Sequence, residues 1–387
     1  MANNNENKIL NVPNLRFPEF SGEWSSQPLT DFMNFKNGLN PDAKRFGRGT
    51  KFISVMDILN NQYICYDNIR ASVELQDGDI ETYGVDYGDI LFQRSSETLE
   101  DVGRANVYLD SKPAIFGGFV IRGKSKGNYN PLFFRYLLAS PTARKRIIVK
   151  GAGAQHFNIG QDGLSKVSLD IPRLSEQEKI GKLLQCVDAR IATQNKIIED
   201  LKKLKSAISE RLFKSVKGST VLLSDLCDIV KGKQINGENL SDSGNYYVMN
   251  GGTEPSGYYD NYNVEASTIS ISEGGNSCGY VQFNTSPFWS GGHCYSIQNI
   301  ADKVDNMYLY HYLKSNEDAI MKLRIGSGLP NIQKKDLAMF KIIVPKIEWQ
   351  IKISTFLSSL ERKAEIEERI QNVMQKQKLY LLQQMFI

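Results

Sequence analysis

The chain repeats itself, and that limits the folds open to it more than any other feature. Asn158-Ile159 returns as Asn331-Ile332, an offset of 173 residues. The offset then holds without a gap. Leu164 meets Leu337, Ile171-Pro172 meets Val344-Pro345, Gln177 meets Gln350, Ile180 meets Ile353 and Leu184 meets Leu357. Asp188 meets Glu361, Arg190 meets Lys363 and Phe213 meets Phe386. With a small shift, Gly151 and Gly153 find counterparts in Gly326 and Gly328. Upstream the match is weaker but orderly: Leu29-Thr30-Asp31-Phe32 with Leu223-Ser224-Asp225-Leu226, Gly38 with Gly232, Pro113 and Gly117-Gly118 with Pro287 and Gly291-Gly292, and Tyr136-Leu137 with Tyr312-Leu313. A duplicated frame with different interiors implies two similar units, each built as a globular segment followed by a helix.

The helices are legible from their seams. Pro172 stops a strand, Ser175 is expected to cap a helix, and Glu178 completes the capping box. Apolar residues follow in alternating steps of four and three at Ile180, Leu184, Val187, Ile191, Ile198, Leu201, Ile208 and Leu212, with Gln194 and Lys205 as polar entries. That is the spacing of a coiled coil, in which polar seam residues fix register at some cost in stability. A helix over 176–214 would run about 58 Å, longer than the ~30 Å a single domain offers. The second helix is expected from about Glu348, with a seam at Ile353, Leu357 and Leu360 that drifts to Ile366, Ile370, Val373 and Tyr380. Two such helices pair most simply with each other, antiparallel.

The rest of the chain is rich in β-formers, aromatics and glycine. Strands are expected at Thr50–Val55, Gly88–Gln93, Ile115–Arg122, Thr268–Ser272 and His293–Gln298, and one short helix per segment at Pro131–Ser140 and Asn306–Met321. The fold class is therefore α+β. Two globular α/β-mixed domains are separated by two long helices that pair as an antiparallel coiled coil, with a pseudo-two-fold internal repeat. The boundaries are an arm at 1–21, a domain at 22–172, a helix at 173–217, a domain at 218–345 and a helix at 346–387.

Several function classes fall away. No apolar run reaches the ~18 residues a membrane span needs, and the Asn-rich start has no apolar core, so no signal peptide is expected. The five cysteines are scattered without a CxxC pair, which fits a reducing cytoplasm and no zinc ribbon. His156, His293 and His311 have no partner at metal-ligand spacing, so no metal site is expected. Gly118 to Ser125 matches the Walker A pattern, but its middle is Phe-Val-Ile and no helix can follow at Lys126–Pro131. There is no GxGxxG, and Asn130-Pro131-Leu132-Phe133 has one proline where an amino-methyltransferase has two. No catalytic residue is expected. With 47 Lys and Arg against 43 Asp and Glu, the charge of +4 permits a polyanionic partner without demanding one.

Loops carry the candidate contacts. In the first segment these are Lys44, Arg45 and Arg48, then Gln93-Arg94-Ser95, Arg104, and Gln155-His156 with Asn158. In the second they are Lys231, Lys233 and Gln234, then Asn250 and Thr253, Ser272-Glu273, Asn276 and His293. Arg reads guanine through paired bonds, Asn and Gln read adenine, and Lys holds phosphates.

These elements together resemble the DNA-specificity subunit of type I restriction–modification systems. The opening Val12 to Phe20, followed by Gly22-Glu23-Trp24, is similar to the N-terminal signature of Gram-positive members. Ile171-Pro172 with Glu176 to Ile180, and Val344-Pro345 with Trp349-Gln350, resemble the two conserved regions, although Glu348-Trp349-Gln350 departs from the usual Glu-Gln-Gln or Glu-Gln-Glu. The resemblance implies that residues 22–172 and 218–345 are target-recognition domains, each reading half of a bipartite target in double-stranded DNA. The spacer helices would hold them at a fixed spacing. It implies two modification subunits that supply S-adenosylmethionine and methylate one adenine per half-site, the chain having no cofactor of its own. Restriction subunits, translocases with nuclease activity, would join for bacterial defence. The alternatives are a nucleotide-binding enzyme using the Walker-like segment and an interaction scaffold that binds protein alone.

Overall fold

The structure is a computed structural model, described for residues 10–326, 328 and 330–387; the first nine residues of the expected N-terminal arm lie outside the described residues. Two compact units form, Met1–Asn195 with Ile370–Ile387, and Lys196–Arg369.

In the first unit, a four-stranded antiparallel sheet has the order Met33–Asn37, Val120–Ser125, Ile90–Gln93, Ala105–Val107. A second sheet has the order Ala71–Val73, Phe46–Ile53, Ala114–Phe116, Gly84–Val85. The strand expected over Ile115–Arg122 is thus two strands in different sheets. Gly117 to Phe119 form the corner, where the Val120 amide donates to the Gly117 carbonyl at 2.8 Å. A ribbon of Ser25–Pro28 with Ser168–Ile171 closes the unit. The helix expected over Pro131–Ser140 ends at Ala139, and a second, unanticipated helix follows at Pro141–Ile148. Ser140 is buried between them and caps the second helix, accepting from the Ala143 amide, and Pro141 supplies a first residue that needs no partner for its nitrogen.

The second unit has the same kinds of parts. A four-stranded antiparallel sheet has the order Asp228–Lys231, Cys294–Gln298, Thr268–Ser272, Val281–Asn284. A three-stranded sheet joins Tyr258–Tyr259, Tyr246–Met249 and Trp289–Ser290, and Ser219–Leu222 pairs with Lys341–Val344. The helix expected over Asn306–Met321 breaks into Asn306–Ser315 and Glu317–Met321. At the break, the Asn316 amide and side chain both turn back to the Tyr312 carbonyl, so Asn316 ends the first helix with its own side chain.

The long helices run over Leu174–Ser215 and Ile347–Gln384. Ser175 does not cap the first. The helix starts one residue earlier, and the Arg173 carbonyl accepts from the Glu176 and Gln177 amides. A glutamine fixes each entry instead. Gln177 donates to the Pro172 carbonyl at 3.0 Å and accepts from the Asn130 amide at 2.9 Å. Gln350 donates to the Pro345 and Lys303 carbonyls and accepts from the Asp305 amide at 2.9 Å. Asn130 and Asp305 each cap the helix that follows them. Both glutamines are buried, so each serves as a hydrogen-bonded polar plug between strand, helix and neighbouring helix.

On the first helix the expected seam is the less exposed face, from Ile180 and Leu184 through Gln194 and Ile198 to Leu212. On the second, the expected drift is overturned. Ile366, Ile370, Val373 and Tyr380 are exposed, and the inward positions are Leu357, Glu361, Ala364, Gln371, Met374, Lys378 and Leu382. Hydrophobicity alone misplaces this seam because ion pairs occupy it. In the first unit Asp188 receives Lys378 at 2.6 Å and the Tyr136 hydroxyl at 2.9 Å. In the second, Glu361 receives Lys205 at 2.6 Å and the Tyr310 hydroxyl at 3.1 Å. Within each unit the two helical stretches run antiparallel: in the second, Lys202 pairs with Glu368 while the later Lys205 pairs with the earlier Glu361.

His311 lies in the second core, its Nε2 2.9 Å from the Ser358 hydroxyl. Burial lowers its pKa to about 4, with Glu361 opposing and Lys205 adding to the shift. The unfolded chain therefore takes up this proton first as pH falls. Stability from neutral His311 is complete above about pH 6.5 and gone by about pH 4, a loss of about 3 kcal/mol. Denaturant titrations at pH 7 and pH 4.5 should show the loss, and a His311→Gln variant should lack that component.

Candidate nucleic-acid interface

The candidate residues of the second unit converge. Lys231 ends its strand and reaches Glu273 Oε1 at 2.7 Å, where the Tyr295 hydroxyl also lies at 3.0 Å. Tyr295 is equally close to the Ile332 carbonyl, and burial followed by the Glu273 carboxylate pushes its pKa well above the usual phenol value, so it stays a donor. The Glu273 amide donates to the His293 carbonyl at 2.9 Å, and the His293 amide donates to Asn250 Oδ1 at 3.1 Å. Ser272 donates to the Gly251 carbonyl at 2.7 Å, in the loop that carries exposed Thr253. Asn276 is exposed on the loop after Glu273, anchored where the Gly275 amide donates to the Pro330 carbonyl. Lys233 holds Ser290 and Trp289 through its backbone, and its own side chain is exposed. Gln234 sits on Gly292: a Cβ there would meet Gln234 Oε1 at 2.4 Å, so the exposed glutamine lies directly over the glycine.

The first unit splits its candidates into groups. Gln93, Arg94, Ser95, His156 and Asn158 come together, because Ser95–Ser96 pairs with Phe157–Asn158. The Ser95 hydroxyl donates to Asn158 Oδ1, Asn158 Nδ2 to the His156 carbonyl, and Arg94 Nη1 to the Gly118 carbonyl at 3.3 Å. Gln155 and His156 are exposed at the tip. Lys44, Arg45 and Arg48 form a second group around the strand Phe46–Ile53. There Arg45 is tied to Asp79 and the Glu74 carbonyl, and Arg48 to the Glu74 carboxylate at 2.7 Å, while Lys44 is exposed. Arg104 shares backbone bonds with Gln93, but its side chain pairs with Asp101 and lines a cavity of about 420 Å³ with Arg135 and Arg144. Burial and then the charge of Arg104 push Arg144 down to about 10.

Sequence reasoning missed Tyr295, Glu74 and Asp79, whose roles depend on contacts across strands. It also missed Phe119, exposed at the corner beside Arg94, although the adjoining Gly117-Gly118 pair was a signal. The Walker-like segment is not a phosphate loop. Val120–Ser125 is an inner strand of the four-stranded sheet, and Lys124 pairs with Asp86. No helix among the described residues is long and apolar enough to cross a membrane.

The N-terminal signature also finds its place. Arg16 forms a two-pronged bond to buried Glu176 at 2.8 Å on each oxygen, and the Trp24 indole donates to the same carboxylate at 3.3 Å.

The model of the type I restriction modification DNA specificity domain matches residues 21–203 and 217–376. A putative type I restriction enzyme specificity subunit, MjaX of Methanocaldococcus jannaschii, is 24% identical over 411 residues, covering 96% of this chain and 94% of that one. Among solved structures, the S subunit of the type I restriction–modification system of M. genitalium has a similar fold, with a TM-score of 0.64 at 17% identity over 97% of this chain and 99% of the other. A chain from a study of assembly and conformational transition in the type I system gives a TM-score of 0.60 at 14% identity over 95% and 98%. With its two matched segments, the chain belongs to the type I restriction–modification DNA-specificity family.

Proposed function

We propose that each unit reads one half of a bipartite DNA target, and that the chain itself performs no chemistry. The observation that carries this reading is the recurrence of one loop frame around different side chains. Gly38 packs on the Gly117 carbonyl with Asn40 against Gly118, and Gly232 packs on the Gly291 carbonyl with Gln234 against Gly292. A shared frame with variable loops suits two domains that dock alike and read different bases. Lys44 and Lys233 hold phosphates, Lys231 keeps its carboxylate partner Glu273, Gln93, Arg94, Ser95, Arg104, Gln155, His156 and Asn158 face one half-site, and Gln234, Asn250, Thr253, Ser272, Asn276 and His293 the other. Arg45 and Arg48 contribute once DNA competes for their carboxylate partners.

The repeat, with Asp188–Lys378 mirrored by Glu361–Lys205, supports an antiparallel coiled coil of pseudo-two-fold character as the spacer. The exposed apolar residues Phe356, Ile366, Ile370 and Val373 offer a face for modification subunits, two per chain, which hold S-adenosylmethionine. Restriction subunits complete the assembly.

Exchanging residues 22–172 for those of another family member should change one half of the methylated site and leave the other intact. A change in both halves would end the reading of independent domains. Lys124→Ala should leave the ATPase of the reconstituted restriction complex unchanged, since Lys124 lies within a strand and pairs with Asp86. Collapse of that ATPase with DNA binding preserved would restore the nucleotide-binding reading.

A further inference from the structure

The second unit buries a carboxylate whose hydrogen bonding is half complete. Glu273 is 7% exposed. Lys231 and Tyr295 satisfy Oε1, but Oε2 is buried without a donor. His293 Nδ1 lies 4.0 Å from that oxygen, too far for a hydrogen bond, on a side chain that is 63% exposed. The backbones of the two residues are locked together. The Glu273 amide holds the His293 carbonyl, the Ile332 amide holds the Glu273 carbonyl, and Asn250 holds the His293 amide. The carboxylate is thus fixed and the imidazole is the part free to turn. A buried, unmet acceptor is costly, so a small rotation that brings Nδ1–H onto Oε2 is favoured.

We propose that Glu273 and His293 form the base-reading pair of the second unit, with Glu273 as positioning residue and His293 as reader. This rests on the reading of the unit as a half-site recognition domain. The proton of a neutral imidazole stays on the nitrogen whose partner needs it. With Nδ1–H bound to Glu273, Nε2 is left as an acceptor. In the major groove it matches the exocyclic amino group of adenine or cytosine, whereas guanine O6 and thymine O4 present lone pairs against it. Lys231 neutralises the carboxylate, so the pair does not set a bare negative charge against the phosphates.

The test uses the full chain in its modification complex. Methylation mapping defines the target, and competition binding then follows duplexes in which each base pair of the second half-site is replaced in turn. His293→Ala should reduce discrimination at a single adenine- or cytosine-bearing position by roughly tenfold, with the first half-site still read. Glu273→Gln should relax that same position, because an amide does not select the Nδ1–H form. Uniform weakening on every duplex would overturn the proposal in favour of a phosphate-holding or structural role, and so would unchanged discrimination. Relaxation of different positions by the two variants would show Glu273 reading a base directly and end the pairing. Should Glu273→Gln fail to fold, exposed His293→Ala decides alone. A wild-type complex with no bipartite target would instead remove the underlying domain reading.

Discussion

Phe386→Ala is expected to destabilise the first unit by about 3–5 kcal/mol, the usual cost of emptying an aromatic core site. Phe386 is 3% exposed, with its ring 5.6 Å from Phe133 and 6.4 Å from Trp24 between centroids. Leu382 and Met385 join the same core, so no neighbouring loop can collapse into the gap cheaply. Hydrogen exchange on the intact chain checks this by region. Protection should fall within residues 22–172, while the second unit keeps its own, since its core is closed by Phe213 against Tyr308 and Tyr312. Unchanged protection in the first unit would mean that Phe386, just past the helix end at Gln384, is not part of its core.

Matched insertions of four residues, one between Ile197 and Leu201 and one near Glu368, should lengthen the unread DNA spacer by one or two base pairs. Four residues add about 6 Å to a helix, and a base-pair step is about 3.4 Å. Each residue also turns the helix by ~100°, so four nearly restore the face that carries Ile198 and Lys205. A single-residue insertion in each helix turns that face by about 100° and should abolish function. Methylation mapping is the measurement. An active complex with an unchanged spacer would assign the distance to the modification subunits.

Much of the frame was legible because it rests on patterns local in sequence. The 173-residue offset located both glutamine plugs before their partners were known, and the seam of the first long helix followed from its apolar spacing. The second seam was misread because Glu361 and Lys378 sit where apolar residues were sought; their pairing with Lys205 and Asp188 is visible only in three dimensions. The break at Asn316 was lost for a different reason. A side chain that bonds to a carbonyl four residues back can extend a helix or end it, and the sequence does not say which. The second unit's candidate residues do gather in one place. In the first, Arg45 and Arg48 pair with Asp79 and Glu74, partners that local sequence pattern does not reveal.

The way Ile370–Ile387 completes the unit begun by the N-terminal residues has a consequence for biosynthesis. The segment Lys196–Arg369 is contiguous and can close its core as soon as it leaves the ribosome. The earlier-made unit must wait, with Trp24 and Phe133 lacking their cover, until the segment carrying Phe386 is translated and emerges. Translation would thus finish the second half first, and a nascent chain stalled before residue 370 would expose an open aromatic core to chaperones and proteases.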